Sequence, residues 1–377
     1  MNVLPGLPAL CEEAHYRIAP ARLPAGLRCA VVVPARDEAE RVLTCLESIR
    51  CQWDQAGRLL GPRVLTVLVV NGTTDHTLHR VRQWCALHPA TPVVVVEANF
   101  DPARAHVGSA RGLGLRIGAA ALAAAGEPPA GRQLLFSTDA DTHLAHDALA
   151  RGLDELTRVD AFGAHIVAGE EDDSRVGQVV VRYQALKGRL RRAHYPLPFE
   201  RGPQHGVFGG AGFGVSRRAY REAGGLPELP YDEDQGMRTR LLESGARVSY
   251  PRDVIVYTST RQDGRTPWGM AKQLAAWAEL EADYWPPAPS AAGLRAKYQL
   301  KRRLRERWQQ SGRIDEFERS WRAHWLSDSV QAAFARRFPE PDLLTAVASL
   351  EAELARTGQN AAPRVVGPEP RPAPLVS

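Results

Sequence analysis

The sequence predicts an α/β protein with a mostly parallel sheet flanked by helices, followed by a helical C-terminal region. Three observations carry that prediction. From residue 28 to about 170, short apolar runs rich in β-branched residues alternate with longer stretches whose apolar residues recur at helical spacing. This is the order of strands buried on both faces beneath crossover helices. Beyond Thr266 helical spacing dominates to about Arg356, and six of the eight Trp lie there, which marks an apolar unit separate from the alternating part. The chain has 377 residues, 44% hydrophobic and 24% charged, which excludes a wholly disordered chain, a collagen-like chain and a disulfide miniprotein.

The elements follow in order. Cys29–Val33, Val64–Val70, Pro92–Val96 and Gln133–Ser137 are the buried parallel strands, and Ala39–Cys51, Thr77–Leu87 and Val107–Ala125 are the helices between them. A strand at Ala161–Val167 and a helix at Arg175–Arg192 precede a glycine-rich stretch, Gly206–Gly214. Helices at Arg217–Ala223 and Glu233–Ser244 and short strands at Arg247–Tyr250 and Val254–Tyr257 complete the alternating part. The expected division is an N-terminal extension over 1–27, a catalytic domain over 28–266, a helical region over 267–356 and a disordered Pro-rich tail over 357–377.

The net charge of +5 conceals two different parts. Arg295 to Phe338 holds twelve Lys and Arg against five acids, a net of +7, so the rest of the chain carries −2. Only Lys187, Lys272, Lys297 and Lys301 are lysines; the other 44 basic residues are Arg. The basic segment reads as a helical appendage with Arg turned to water, because Glu306, Asp315, Glu316 and Glu318 interrupt its positive face. The alternative lays residues 295–308 on an anionic membrane surface with Tyr298, Leu300, Leu304 and Trp308 inward. No recognised nucleic-acid-binding module is present, and no nucleic-acid partner is expected. No apolar run approaches the roughly 20 residues that span a bilayer, the first residues do not read as a secretory signal, and five cysteines without C-x-x-C spacing fit reduced thiols in a cytoplasm, where a peripheral place at the inner face of the membrane is the alternative.

Four short segments, three after strands and one opening a helix, bear residues suited to chemistry. Ser137-Thr138-Asp139-Ala140-Asp141-Thr142 leaves an apolar strand with two carboxylates one small residue apart. Such a pair suits a hard divalent cation shared with a diphosphate, and equally an Asx turn. Tyr231-Asp232-Glu233-Asp234 opens a helix, where acids serve as caps or, facing a cleft, as a general base. Val33-Pro34-Ala35-Arg36-Asp37-Glu38 and Val70-Asn71-Gly72-Thr73-Thr74-Asp75 follow the first two strands, where open α/β sheets bind ligands.

Taken in order with G-S-A-R-G-L-G, G-G-A-G-F-G-V-S-R-R-A-Y-R-E-A-G-G-L-P, Y-D-E-D-Q-G-M-R-T-R-L and S-T-R-Q-D-G-R, these segments make the chain from about Cys29 to Arg265 resemble the family 2 glycosyltransferases, inverting nucleotide-sugar enzymes of the Rossmann-like GT-A fold. The resemblance implies a sugar moved from a nucleotide-diphosphate sugar to an acceptor hydroxyl, the acceptor being a small molecule, a glycan or lipid-linked. It places Pro34, Ala35, Arg36, Glu38, Asn71, Asp75 and Arg111 at the nucleotide, with Asn71 where the family commonly has Asp. It places Asp141 and Asp139 at Mg²⁺ or Mn²⁺, Asp139 also toward the ribose and sugar, and Gly210 beside donor or acceptor. Asp234, with Glu233 before it, matches the acceptor-activating base, and Arg261 and Arg265 match a pair that closes on the diphosphate. Two other readings are a polyprenyl-phosphate glycosyl transferase on the same fold and a non-catalytic nucleotide-sugar-binding protein; the latter is expected to lose Asp139, Asp141 or Asp234, and all three are present.

Overall fold

The computed structural model describes residues 15–18, 26–126, 132–168, 175–259 and 284–357. Arg261, Arg265, Trp268, Trp277 and the Pro-rich tail lie outside them.

β1 (His15–Ile18), β2 (Cys29–Ala35), β3 (Val64–Asn71), β4 (Val93–Asn99) and β5 (Leu134–Thr138) make one side of an eight-stranded sheet. β4, β3, β2 and β5 are mutually parallel, with Cys29 level with both Val64 and Leu134. Every residue of β2, β3 and β5 is buried, which is why these strands read as unbroken apolar runs. Successive side chains point to opposite faces. Val31 and Val33 therefore pack with α1 (Val42–Arg50) and α2 (Thr77–Leu87), while Ala30 and Val32 pack with α3 (Val107–Ala124). β1 pairs antiparallel with β4 and extends the sheet with residues from the expected N-terminal extension.

β6 (Thr142–Leu144), α4 (Ala148–Glu155), β7 (Ala161–Gly163) and β8 (His165–Ala168) follow β5. The single strand expected over 161–167 is two strands in two sheets. β7 stays in the large sheet, and β8 joins β6 and β11 (Ile255–Thr258) in a three-stranded sheet. The chain changes sheet at Gly163, where a Cβ would meet the Val207 carbonyl oxygen at 2.1 Å, so only glycine fits. After α5 (Arg175–His194), the glycine-rich stretch delivers β9 (Gly212–Ser216), which runs antiparallel between β5 and β7. α6 (Arg217–Glu222), α7 (Glu233–Glu243) and β10 (Val248–Ser249) complete the large sheet, in the order β1-β4-β3-β2-β5-β9-β7-β10. A mostly parallel sheet flanked by helices, with a helical C-terminal region, is thus the architecture.

In that region α8 (Ala291–Gln310), α9 (Phe317–Trp325), α10 (Asp328–Arg337) and α11 (Leu343–Arg356) form two apolar clusters. One joins Leu294 of α8 and Val347 and Leu350 of α11 to Tyr183, Leu186 and Leu190 of α5. The other stacks Phe317, Trp321 and Trp325, with Leu304 and Trp308 of α8 against them. Tyr298, Leu304 and Trp308 of that face therefore pack in the protein's own clusters, Leu300 is exposed, and Arg302, Arg303 and Arg307 face outward. No described helix is long and apolar enough to cross a membrane.

Candidate active site

The loops after β2 and β3 are tied to each other at the carboxyl edge of the sheet. Asp37, in the left-handed region at φ 52°, accepts hydrogen bonds from Thr74 N at 2.7 Å and Thr73 Oγ1 at 3.0 Å. In return Asp75 accepts from Ala39 N at 3.0 Å, and Thr77 Oγ1 from Glu38 N at 2.7 Å. Burial raises the Asp75 pKa, but the hydroxyl and N–H of Thr77 with the other donors outweigh it and hold the carboxylate at about 2. Pro34, Ala35 and Asn71 end their strands buried, Glu38 is buried at the head of α1, and Arg36 is exposed, its Nη1 reaching Ala105 O at 3.4 Å. Sequence reasoning passed over Asp37, whose left-handed backbone has no signature outside Gly and Asn.

The centre of the site is Arg111. It lies on α3, 2% exposed, and its guanidinium is divided among four segments. Nε donates to Glu233 Oε1 at 2.9 Å, Nη1 to Ser137 Oγ at 2.6 Å and to Gly210 O at 2.9 Å, and Nη2 to Asp139 Oδ1 at 2.7 Å. One buried cation thus joins the Asp-x-Asp loop after β5, the glycine turn before β9 and the acidic start of α7. Gly210 has no room for a side chain, since a Cβ would lie 2.8 Å from Arg111 Nη2. Ser137 was legible as a strand end that opens the Asp-x-Asp segment; its bond to Arg111 requires knowing what faces it.

Asp234 sits on the other side of the same turn. Its Oδ2 accepts from Gly210 N at 2.7 Å and its Oδ1 from Gln235 N at 2.6 Å. Burial and the neighbouring Glu233 carboxylate push its pKa up to about 6, against the pull of Arg111 and the two N–H donors. Asp232 just before it has φ 55°, a conformation uncommon outside glycine and one that concentrates at functional sites.

Asp139 and Asp141 flank Ala140 at the end of β5. The Asp141 carbonyl accepts from Ser259 N at 3.3 Å, so the end of β11 closes over this loop. Among the described residues no group of three or more His, Cys, Asp or Glu converges as a preformed cage. Two carboxylates without nitrogen or sulfur donors fit a hard divalent cation that takes its other ligands from a diphosphate and water. Cys45, whose Sγ lies 3.6 Å from Asp139 O, does not compete: burial and the charges of Asp141, Asp139 and Glu38 keep the thiol protonated. A depression of about 600 Å³ lined by Trp53, Asp54, His146, Asp147 and Arg151 shares no residue with this cluster.

Residues 25–279 match the model of a family described as glycosyltransferase-like family 2. No match emerges among curated proteins. Among solved structures, the chain is similar to the mannosyltransferase PcManGT from Pyrobaculum calidifontis, in complex with GDP-Man and Mn²⁺, at 20% identity over 91% of this chain and 90% of that one, with a TM-score of 0.48. It is also similar to S. aureus TarS 1-349 in complex with UDP-GlcNAc, at 14% identity over 88% of this chain and 92% of that one, with a TM-score of 0.46. With more than half its length matched by the family model, the chain belongs to glycosyltransferase-like family 2 and is a glycosyltransferase on a nucleotide-sugar transferase fold.

Proposed function

We propose that this enzyme moves a sugar from a nucleotide-diphosphate sugar to an acceptor hydroxyl in a single displacement that inverts the anomeric centre, with Asp234 as general base. The observation that carries the proposal is the junction at Arg111 and Gly210, where the Asp-x-Asp loop and the acidic helix start meet. A base must be ionised yet able to accept a proton near working pH, and a carboxylate at about 6 meets both conditions.

In this reading the laced loops carrying Pro34, Ala35, Arg36, Glu38, Asn71 and Asp75 receive the nucleotide. Asp141 and Asp139 would hold Mg²⁺ or Mn²⁺, which would supply positive charge for the diphosphate. The resemblance would add Arg261 and Arg265, which lie outside the described residues, to the diphosphate. Arg111 positions Asp139 and Glu233, and Gly210 presents its N–H to Asp234 so that the free lone pairs of that carboxylate face the acceptor hydroxyl. Asp234 takes the hydroxyl proton as the oxygen attacks from the face opposite the diphosphate. The free thiols at Cys29, Cys45, Cys51 and Cys85 support a reducing, cytoplasmic setting.

The test is a thermal-shift panel of UDP-, GDP-, dTDP- and ADP-sugars with and without Mg²⁺ or Mn²⁺, followed by turnover of two variants. Asp234→Asn is expected to keep the donor-induced shift and lose about 10²–10⁴-fold in turnover. Asp141→Ala is expected to lose the metal-dependent part of the shift as well. Near-normal turnover of Asp234→Asn removes the base assignment, and no shift with any donor removes the reading as a whole.

A further inference from the structure

All three described lysines meet at one place. The chain uses Arg for 44 of its 48 basic residues, yet Lys187 of α5 and Lys297 and Lys301 of α8 gather with Arg238 of α7 where these helices pack around α9. Lys297 feels the charges of Lys187, Lys301 and Arg238, and Lys187 that of Arg238. Aromatic rings wall the group: Lys297 Nζ lies 4.7 Å from the centre of the Trp325 ring, Lys301 Nζ 5.2 Å from Tyr195, Lys187 Nζ 5.8 Å from Tyr183, and the Arg238 guanidinium 5.7 Å from Tyr250. Among the described residues one carboxylate faces the group: Glu318 pairs with Lys301 at 2.8 Å and its charge also acts on Arg238. Lys187 Nζ donates to Gln184 Oε1 at 3.0 Å and Arg238 Nε to the Tyr250 hydroxyl at 2.6 Å, both neutral acceptors.

Four half-buried cations facing one described acid among aromatic rings is costly, because removing charge from water is repaid only by an opposite charge. Burial and the surrounding cations accordingly lower Lys297 to about 8, and burial lowers Lys187 as well. An anion among them would repay that cost. Its position says which substrate would bring it. Arg238 follows Asp234 by four residues on α7, so the two share a helix face about one turn apart. The cluster residues lie on α5, α7 and α8, and none of them lies on the Asp-x-Asp loop or on the loops assigned to the donor. We propose that Lys187, Arg238, Lys297 and Lys301 form a binding site for a phosphate group on the acceptor, one helical turn from the general base. This rests on the transferase reading above and deepens it. Three compact ammonium groups suit a phosphate that comes among the rings; the exposed arginines of α8 lie on the other face of that helix.

The test uses the full chain, with glycerol 3-phosphate and inorganic phosphate as soluble probes and phosphatidic acid vesicles as the lipid probe. Calorimetric binding of either soluble probe, or pelleting with the vesicles, is expected, and whichever binds names the source of the phosphate. Lys297→Met and Lys187→Gln are each expected to weaken that binding at least tenfold while leaving the nucleotide-sugar thermal shift unchanged. A second measurement needs no variant: acetylation of the unmodified chain, read by mass spectrometry, is expected to fall severalfold at Lys187 and Lys297 when the probe is present. Binding of none of the probes, variants that bind as tightly as wild type, or no protection of either lysine overturns the proposal. Loss of the nucleotide-sugar shift in wild type instead overturns the transferase reading, so the two failures are distinguishable.

Discussion

At the scale of single residues, Asp234 and Glu233 divide the acidic pair between them. Glu233 is 5% exposed and faces Arg111, whereas Asp234 faces the turn at Gly210. Glu233 thereby acts on Asp234 through charge. Glu233→Gln retains an oxygen for Arg111 Nε but removes the like charge beside Asp234, so the acid limb of the pH–rate profile, expected near 6 in wild type, moves to lower pH. A limb that stays in place would show that burial alone sets the Asp234 pKa. The same shift bears on stability. The folded state keeps the Asp234 proton up to about pH 6 while the unfolded chain releases it near 3.8. Stability from this group is therefore greatest at low pH and declines as pH rises from about 4 to 6. The difference in unfolding free energy between Asp234→Asn and wild type, measured by urea titration, should move in favour of the variant across that window. On the proposed reading, this is the stability a general base at this position gives up.

At the scale of elements, the turn over 209–212 shows why sequence reasoning reached some features and not others. The glycines were visible, and the resemblance set Gly210 beside donor or acceptor. That the approaching group is the Arg111 guanidinium was not visible, because α3 lies about 100 residues earlier and nothing local marks the contact. Gly210→Ala puts a methyl 2.8 Å from Nη2 of a guanidinium held by four hydrogen bonds. Turn and guanidinium must part, and kcat is expected to fall about 10²-fold from misplacement of this size; turnover within twofold of wild type would show that the turn yields freely. The strands were legible where both faces are buried, as in β2 and β3. They were not legible where glycine or short length hides the pattern, as in β6 and β9. Asp160, before β7, marks a purely structural element junction. Its carboxylate pairs with Arg132, Arg218 and Arg247. Burial raises its pKa, but the Arg247 side chain and N–H and then Arg132 outweigh that and hold it at about 2. Its contribution is complete above about pH 4 and lost as pH falls through about 2, so Asp160→Asn is expected to cost about 2 kcal/mol at pH 7 in urea unfolding, and nothing near pH 2.

At the scale of the whole molecule, the division between an alternating part and a helical appendage is real in sequence but not in packing. α5 belongs to the alternating part, yet Tyr183, Leu186 and Leu190 bury their side chains against α8 and α11. Glu353 of α11, 3% exposed, accepts from Arg295 of α8 at 2.8 Å and closes the same unit. The segment with net charge +7 therefore has two faces: arginines in water, paired with acids as in Arg302–Glu306 at 2.9 Å and Arg313–Glu316 at 2.7 Å, and lysines turned inward toward α5 and α7. The paired arginines contribute little to stability, since exposed ion pairs are worth at most about 1 kcal/mol each. The shared apolar core contributes far more, because each large side chain it covers is worth roughly 1.5–3 kcal/mol. A chain ending at residue 283 exposes Leu186 and Leu190 together with the rest of that α5 face, and three buried side chains of this size already approach the net stability of a domain. Such a truncation is expected to give little soluble protein and no cooperative thermal transition by circular dichroism, even though it keeps Asp139, Asp141 and Asp234. A soluble truncation that melts like the full chain and binds nucleotide sugar with unchanged affinity would show instead that the C-terminal helices are an accessory unit and that α5 is stable without them.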